Sequence, residues 1–301
     1  MPDAVPVERP HIDVALVRRL VASQFPQWTS LPIERFESAG TDNALYRLGV
    51  DMVVRLPSVS WAIGHATKEQ RWLPVLAPQL PLPVPVPLAA GTPEEGYPWN
   101  WTVCRWLDGA AASTDRLDSL VDAAASLAGF VRALQQVDIT DGPRSGSHNS
   151  YRGVALAKRD SFTRDGIEAL RDEIDADAAT TLWNATLALP EWDRAPVWVH
   201  GDIHAGNLLA TDGRLSAVID FGLMGVGDPA VDLIVAWTLL TGASRAAFRD
   251  AVAADEATWF RGRGWAFSVA LVALAYYRHT NPAIAAMSRV AIDQTLADFD
   301  R

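Results

Sequence analysis

The order of hydrophobic and polar positions divides the chain into a strand-rich first third and a helical remainder. Apolar residues at helical spacing predict an entry helix over residues 11–25, ended by Pro26. Extended patterns separated by turn residues then predict three antiparallel strands, in IERFESAG, ALYRLGV and MVVRLP. The segment ATKEQRWLPVLAPQL predicts a short helix that Pro74 disrupts, and WNWTVCRWLDG predicts a further strand.

The most proline-rich segment lies between Pro74 and Pro98, which contains eight of the 19 prolines. Proline lacks a backbone donor, so a continuous helix is excluded and an extended or edge-strand geometry is predicted. A linker is one explanation of such a run. The leucines and valines between the prolines favour an extended segment packed on the sheet.

Helical periodicity begins after residue 112. Apolar residues between Leu117 and Val137 recur at steps of three and four, which predicts an amphipathic helix. The boundary therefore falls near residues 106–112, with an N-terminal lobe over 1–107 and a C-terminal lobe over 108–301. The predicted fold class is α+β: an N-terminal lobe of antiparallel sheet with one or two helices, and a larger, mainly helical C-terminal lobe.

One segment without helical periodicity, the island VWVHGDIHAGNLLATDGRLSAVIDFG, lies within the helical part of the sequence. Three short strands are predicted within it: Val197–Val199, Leu208–Ala210 and Leu215–Ile219. The last two are expected to pair around a tight turn, so His200–Asn207 forms a loop between strands and Asp220 ends the second hairpin strand. Beyond the island, Asp228 is predicted to cap a helix that begins at Pro229.

Composition and charge limit the class of protein. Hydrophobic residues make up 49% of the chain, which is ample for a core, and the single Cys104 excludes an intramolecular disulfide. A net charge of −10 would repel a polyphosphate backbone, so no nucleic-acid partner is expected. No secretory signal is visible at the start, and the apolar run Ala266–Tyr277 is too short to span a membrane. We expect a cytoplasmic protein without a membrane partner.

Two readings of the loop HGDIHAGNLL are a metal site and a purely structural turn. Its His-x-Asp-x-His order supplies metal ligands, and GDIHAG resembles the Gly-Asp-x-His start of metallophosphoesterases. Those enzymes need further ligands downstream, whereas His279 is the only histidine after His204 and has no acidic neighbour. The second reading is purely structural, with Asp202 forming a turn and the histidines satisfied as polar groups.

Phosphoryl transfer is the third reading. It requires a carboxylate to accept or orient the proton of an acceptor hydroxyl, and oxygen ligands to hold magnesium against nucleotide phosphates. Asp202, Asn207 and Asp220 supply these groups. Their order, with five residues from Asp to Asn and thirteen more to an Asp followed by Phe-Gly, matches the catalytic loop and Asp-Phe-Gly segment of protein kinases.

These segments carry a family resemblance. VHGDIHAGNLL together with VIDFGLMGVGDPAVDL resembles the aminoglycoside phosphotransferase family of small-molecule kinases, which includes aminoglycoside, macrolide, choline and homoserine kinases. AGTDNALYRLG, MVVRLP and GYPWNWTVCRWLDG fall in the same order as in the family, so the resemblance spans most of the chain. It implies a two-lobed, protein-kinase-like fold and magnesium-dependent transfer of the γ-phosphate of ATP or GTP to a small-molecule hydroxyl.

The resemblance also implies roles for individual residues. Asp202 would be the catalytic carboxylate, with Asn207 and Asp220 as magnesium ligands. A turn over the nucleotide phosphates would be formed by Gly40, Thr41, Asp42 and Asn43. The nucleotide base would be bound by the backbone of Val103, Cys104 and Arg105. The residues expected to be structural near the site are His200, Asp228 and Asp232. His204 either contacts phosphate or substrate or only packs.

One position departs from the family pattern. The third strand commonly carries a lysine that holds the nucleotide phosphates, but MVVRLP places Arg55 there. Arginine keeps the charge and gains a fork of donors, so Arg55 is expected to be functional, with Glu69 as its ion-pair partner. The loss of lysine leaves a pseudokinase as an alternative to an active enzyme.

The acceptor is less constrained than the reaction. An antibiotic, of the aminoglycoside or macrolide type, is the favoured acceptor, and a metabolic kinase for a sugar, choline-like or homoserine-like compound is the alternative. Seven acids between Asp160 and Asp177 favour a solvated helix face over a polyamine pocket. Trp259, Trp265 and Tyr276 are interpreted as core residues rather than as a pocket floor. Monomer and dimer both remain open.

Overall fold

The computed structural model describes residues 10–37 and 42–299. Within them, the chain divides into two compact units. The first comprises the described parts of Met1–Gln79, Pro83–Asp108 and Ala217–Gly222, and the second comprises those of Leu80–Leu82, Gly109–Ser216 and Leu223–Arg301. The lobe division at residues 107 and 108 stays a prediction.

The first unit is built on a five-stranded antiparallel sheet. Its strands are β1 (Ile33–Phe36), β2 (Asn43–Leu48), β3 (Met52–Pro57), β4 (Pro87–Gly91) and β5 (Trp101–Arg105), in the order β1-β2-β3-β5-β4. The central strand β3 is buried at every position, because both faces of the sheet are covered there. Helix α1 (Val14–Gln24) is capped by Asp13, whose carboxylate accepts the Leu16 N–H at 2.7 Å. The predicted entry helix and three antiparallel strands are confirmed.

Proline placement is partly as predicted. The expected disruption at Pro74 is wrong, because helix α2 (Ile63–Leu76) passes through it. Pro74 removes only the bond to the carbonyl of Gln70, and the helix ends two residues later, so few hydrogen bonds are affected. The proline-rich segment supplies β4 at the sheet edge, where a missing backbone donor is tolerated.

The second unit is mainly helical, and the mixed α+β architecture is confirmed. Its helices are α3 (Leu120–Gln136), α4 (Asp160–Ala169), α5 (Ala176–Leu187), α6 (Val235–Thr238), α7 (Gly242–Val252), α8 (Glu256–Tyr277) and α9 (Pro282–Phe299). Helix α8 is central and packs against α4, α5, α6 and α9, which explains its all-round apolar character. Among the helices described, none is both long and apolar enough to cross a bilayer.

Short strands interrupt the helices of the second unit. Strand β7 (Val197–Val199) pairs with β10 (Gly225–Gly227), and β8 (Leu208–Thr211) lies between β6 (Ala110–Ala111) and β9 (Arg214–Val218). The predicted hairpin is therefore confirmed. Two helical predictions need correction. The chain from Pro229 to Ile234 forms a 3-10 helix before α6, and the segment 160–177 is two helices, because Asp175 caps a new one.

Candidate active site

The loop that follows β7 is fixed by a close approach of the backbone. Gly201 has a φ of 84°, a conformation that side chains other than glycine rarely adopt. A Cβ atom at this position would lie 2.5 Å from the carbonyl oxygen of Leu223. Glycine is therefore required between His200 and Asp202, and the backbone turns sharply at the point where the buried strand ends.

Two buried residues brace this loop. His200 is fully buried, and its backbone N–H donates to Asp232 Oδ2 at 2.8 Å, while the N–H of Gly201 donates to Asp232 Oδ1 at 2.7 Å. His200 Nδ1 in turn accepts the backbone N–H of Asp202 at 3.2 Å. Burial raises the pKa of Asp232 to about 7, although the two N–H donors act in the opposite direction.

The Asp202 carboxylate is held at both oxygens. Its Oδ1 lies 3.4 Å from Arg152 Nη2, and its Oδ2 lies 3.5 Å from His204 Nε2 and accepts Asn207 Nδ2 at 3.1 Å. Burial opposes ionisation, but His204 and Arg152 outweigh it and hold the pKa of Asp202 well below its usual range. The side chain keeps 23% of its surface exposed, so an ionised carboxylate is open to a ligand.

His204 takes part in a local turn. Its Nδ1 accepts the N–H of Gly206 at 3.1 Å and so caps the 3-10 helix Ala205–Asn207. The opposite nitrogen, Nε2, faces Asp202. Asn207 completes the turn, and its amide nitrogen also donates to the backbone carbonyl of Asp202 at 3.0 Å. With that nitrogen turned inward, the amide oxygen of Asn207 is the atom suited to a cation.

In the first unit, Arg55 bridges two carboxylates. Its Nη1 donates to Glu69 Oε2 at 2.9 Å, and its Nη2 lies 3.6 Å from Asp220 Oδ1. Burial opposes its charge, but Glu69 and then Asp220 raise the pKa of Arg55, so it stays protonated. Burial of the Glu69 carboxyl raises its pKa, and the charge of Arg55 acts in the opposite direction.

Asp220 stands in an unusual backbone conformation just after β9. Its φ is 64°, in the left-handed region that residues other than glycine rarely occupy, and its side chain is 41% exposed. Two residues on, a Cβ atom at Gly222 would lie 2.5 Å from His65 Nδ1, so the imidazole of His65 on α2 leaves no room for a side chain there. The segment is held so that the Asp220 carboxylate stays accessible.

Asn207 and Asp220, the two residues predicted to bind magnesium, carry oxygen donors of the kind that this ion takes. Arg55, Glu69 and Asp220 together carry one negative charge, and within the part of the chain described here Glu69 Oε1 is buried without a hydrogen-bond partner. Carboxylate and amide oxygens are the ligands that magnesium takes. No cluster of three or more His, Cys, Asp or Glu side chains among the described residues could form a metal cage, so the metallophosphoesterase reading lacks its ligand set.

The remaining predicted residues have varied surroundings. Asp228 caps the turn at Pro229 by accepting the Ala230 N–H at 3.0 Å, and it forms a buried ion pair with Arg261 at 2.8 Å.

The described residues of the predicted base contact and phosphate turn lie on or next to two strands of the sheet. Val103 and Cys104 are buried in β5, and Arg105 is exposed at its end. Asp42 accepts Trp61 Nε1 at 3.1 Å, and Asn43 begins β2. Gly40 and Thr41 lie outside the described residues.

Sequence reasoning missed two arginines of the second unit. Arg152 lies 50 residues before Asp202, and Arg261 lies 33 residues after Asp228. Neither belongs to a recognisable motif. Arg261 is a basic residue inside an otherwise apolar segment, WFRGRGWAF, whereas Arg152 follows the polar stretch SGSHNSY. Neither feature identifies an ion-pair partner.

Comparison with known families identifies the class of protein. The phosphotransferase enzyme family model, APH, matches residues 33–265, which include Arg55, Asp202, Asn207 and Asp220. The chain belongs to this phosphotransferase family, as its motifs predicted. Among curated protein sequences, none matches it.

Solved structures with the same fold include antibiotic kinases. The GDP complex of aminoglycoside 2'-phosphotransferase-IIIa is 17% identical and covers 96% of this chain and 100% of its own, with a TM-score of 0.74. Macrolide 2'-phosphotransferase MphH from Brachybacterium faecium is 24% identical over 94% of this chain and 97% of its own, with a TM-score of 0.62. The streptomycin-ATP complex of APH(2")-IIa is 18% identical over 95% and 97%, with a TM-score of 0.60. The kinase-like fold is therefore confirmed.

Proposed function

We propose that this enzyme transfers the γ-phosphate of ATP or GTP to a hydroxyl group of a small molecule, with magnesium. The observation that carries the proposal is the state of Asp202, an ionised and partly exposed carboxylate on a braced loop. Phosphoryl transfer depends on positioning and on charge stabilisation more than on covalent chemistry, and a fixed carboxylate is suited to orienting the attacking hydroxyl.

Several of the predicted site residues have a part in the proposed reaction. Asp202 accepts a hydrogen bond from the acceptor hydroxyl and takes its proton as the new bond to phosphorus forms and the bond from the γ-phosphorus to the departing ADP or GDP breaks. Asn207 and Asp220 would hold magnesium, which when bound neutralises charge on the phosphate oxygens. Arg55, fixed by Glu69, would donate to phosphate oxygens in place of the usual lysine. A chain that only bound nucleotide would have no use for Asp202, so an active enzyme is favoured over a pseudokinase.

The acceptor proposed is an antibiotic of the aminoglycoside or macrolide type. Its support comes from the similar structures, which include kanamycin and streptomycin complexes and a macrolide phosphotransferase. The acidic segment adds none, because Asp160 accepts Trp183 Nε1 and pairs with Arg164, and Glu173 pairs with Arg278 and Arg289. Trp259 and Trp265 are buried core residues, whereas Tyr276 is exposed.

Replacing the proposed base tests the assignment. Asp202→Asn keeps the size of the side chain but removes its ability to take a proton, so turnover of an acceptor found by screening should fall by about 10²–10⁴-fold. Nucleotide affinity, measured by calorimetry, should change little. Asp212→Asn, in an exposed hairpin turn, makes the same chemical change as a control. If Asp202→Asn turns over as fast as this control, Asp202 is not the base.

A further inference from the structure

Arg152 lies in a loop with an unusual backbone. The preceding residues Ser150 and Tyr151 have φ values of 52° and 59°, and Gly153 follows at 78°. Two consecutive residues other than glycine in the left-handed region are rare, because Cβ crowds the neighbouring carbonyl. Such strain persists only where the surroundings enforce it, and it concentrates at functional sites.

Buried hydrogen bonds enforce this conformation. Asn149 is fully buried, and its Nδ2 donates to the Arg152 carbonyl at 2.9 Å and to Ser145 Oγ at 3.3 Å. Its Oδ1 accepts the Gly146 N–H at 2.9 Å. On the other side, the N–H of Asp228 donates to the Gly153 carbonyl at 2.7 Å. The backbone of Arg152 is thus clamped from both directions.

The Arg152 side chain is buried at a cost. It is 11% exposed, and within the described part of the chain its Nε and Nη1 have no hydrogen-bond partner. Arg261, buried to a similar extent, donates to Asp228, Thr258 and the Pro190 carbonyl. A buried donor without a partner lowers stability, so Arg152 is not explained by packing. Among the residues that the structure describes, its one ion-pair partner is Asp202, through Nη2 at 3.4 Å.

The contacts of Asp202 divide between its two oxygens. Asn207 and His204 both contact Oδ2, whereas Arg152 contacts Oδ1. Contacts at Oδ2 restrain rotation about the Cβ–Cγ bond only in part, because each contact can stretch or shift, so the Arg152 contact at Oδ1 adds a second restraint on the plane of the group. Rotation of the base would misdirect the oxygen that meets the acceptor proton, and small misplacements cost rate.

We propose that Arg152 is a positioning residue for the transfer reaction: the strained turn at Ser150 and Tyr151 delivers its guanidinium to Oδ1 of Asp202 and fixes the orientation of the base. The inference rests on the proposed role of Asp202. Arg152 acts through Asp202 and has no direct part in binding nucleotide. Its removal should therefore lower kcat without changing the KM for nucleotide.

The test compares Arg152→Met, Arg152→Lys and Arg144→Met with the unaltered chain. Arg152→Met should lower kcat by about a hundredfold with the nucleotide KM unchanged, and Arg152→Lys should recover part of the loss because the charge is kept. Arg144→Met, at an exposed position of the same loop, should leave kcat unchanged. Circular dichroism and thermal melting verify folding, and if Arg152→Met does not fold, a kcat for Arg152→Lys equal to that of the unaltered chain overturns the proposal.

A double-mutant cycle separates positioning from a general structural role. In an Asp202→Asn background, Arg152→Met should reduce the residual turnover by less than threefold, because the group it orients has lost its function. An equal, independent loss in both backgrounds overturns the proposal. Full activity of Asp202→Asn would instead refute the proposed function, so the two failures are distinguishable. Unchanged kcat in folded Arg152→Met refutes the positioning role alone.

Discussion

At the scale of single residues, Arg55 stands where the family commonly has a lysine, and its contacts differ from those that a lysine could make. Its forked guanidinium reaches Glu69 with one nitrogen and Asp220 with the other. The ammonium of a lysine is a compact point charge and has no such fork. A lysine at this position could not reproduce the two contacts of Arg55. Glu69 is the ion-pair partner of Arg55, as the sequence predicted.

Breaking this buried pair should destabilise the protein. Arg55→Met leaves Glu69 buried and uncompensated, and loss of one partner of a buried pair costs about 3–5 kcal/mol. Urea denaturation should show this loss, and adding Glu69→Gln to Arg55→Met should recover most of it. Arg171→Met, which breaks an exposed pair with Glu168, should cost less than about 1 kcal/mol. Equal stability of the Arg55→Met single and double variants would contradict this account.

Residue spacing predicted some site residues and missed others for a physical reason. Asp202 and Asn207 share one loop, and the Asn207 amide contacts the Asp202 carboxylate, so their spacing carries information about the contact. Arg152 reaches Asp202 from a loop 50 residues earlier, through backbone conformations that no hydrophobic pattern encodes. Long-range ion pairs of this kind require the tertiary structure.

At the scale of elements, helix α2 supports the segment that carries Asp220. Glu69 and His65 lie four residues apart on α2 and therefore share one face. Glu69 binds Arg55, and His65 packs against Gly222 so closely that no Cβ fits. One face of one helix thus constrains both the Arg55 side chain and the backbone after Asp220.

A substitution at Gly222 should disturb this support. In Gly222→Ala, the added Cβ would meet His65 Nδ1 at 2.5 Å, so either the helix or the Asp220 segment must move. Magnesium-nucleotide affinity, measured by calorimetry, should fall about tenfold. Adding His65→Ala should restore most of it by opening space. Gly129→Ala, where a Cβ meets nothing within 4 Å, serves as the matched control. If His65→Ala gives no relief, the steric explanation is wrong.

Element prediction succeeded where apolar patterns and turn residues agreed, and it failed at two helix boundaries. The strands β2 and β3 combine extended apolar patterns with clear turn residues, and their pairing follows from the short connection. The break between α4 and α5 was missed because acidic residues fill both sides of it, although Asp175 before an alanine-rich run was an available capping signal. Pro74 shows that a proline near a helix end need not end it.

At the scale of the whole molecule, the order of motifs predicted the family and the fold class more securely than the acceptor. The family model matches residues 33–265, and the motifs within that range carry groups that phosphoryl transfer requires. Acceptor recognition depends on surfaces that carry no shared motif, and the acidic segment that suggested a polyamine has at least two of its acids paired internally. Acceptor identity is therefore a question for binding measurements.

Ligand-induced stabilisation addresses that question on the intact chain. A ligand that binds only the folded state at 100 times its Kd stabilises it by about 2.7 kcal/mol, which thermal melting detects. ATP and GTP, each with magnesium, should be crossed with aminoglycosides, macrolides, choline, homoserine and simple sugars. We expect one nucleotide and one acceptor class to raise Tm.

The same measurement tests the two carboxylates. Asp202→Asn should keep the Tm shift caused by nucleotide, because it alters the base alone. Asp220→Ala should lose that shift, because it removes a magnesium ligand. A full nucleotide shift in Asp220→Ala would remove Asp220 from the metal site, and an acceptor shift restricted to sugars or amino alcohols would replace the antibiotic assignment with a metabolic one.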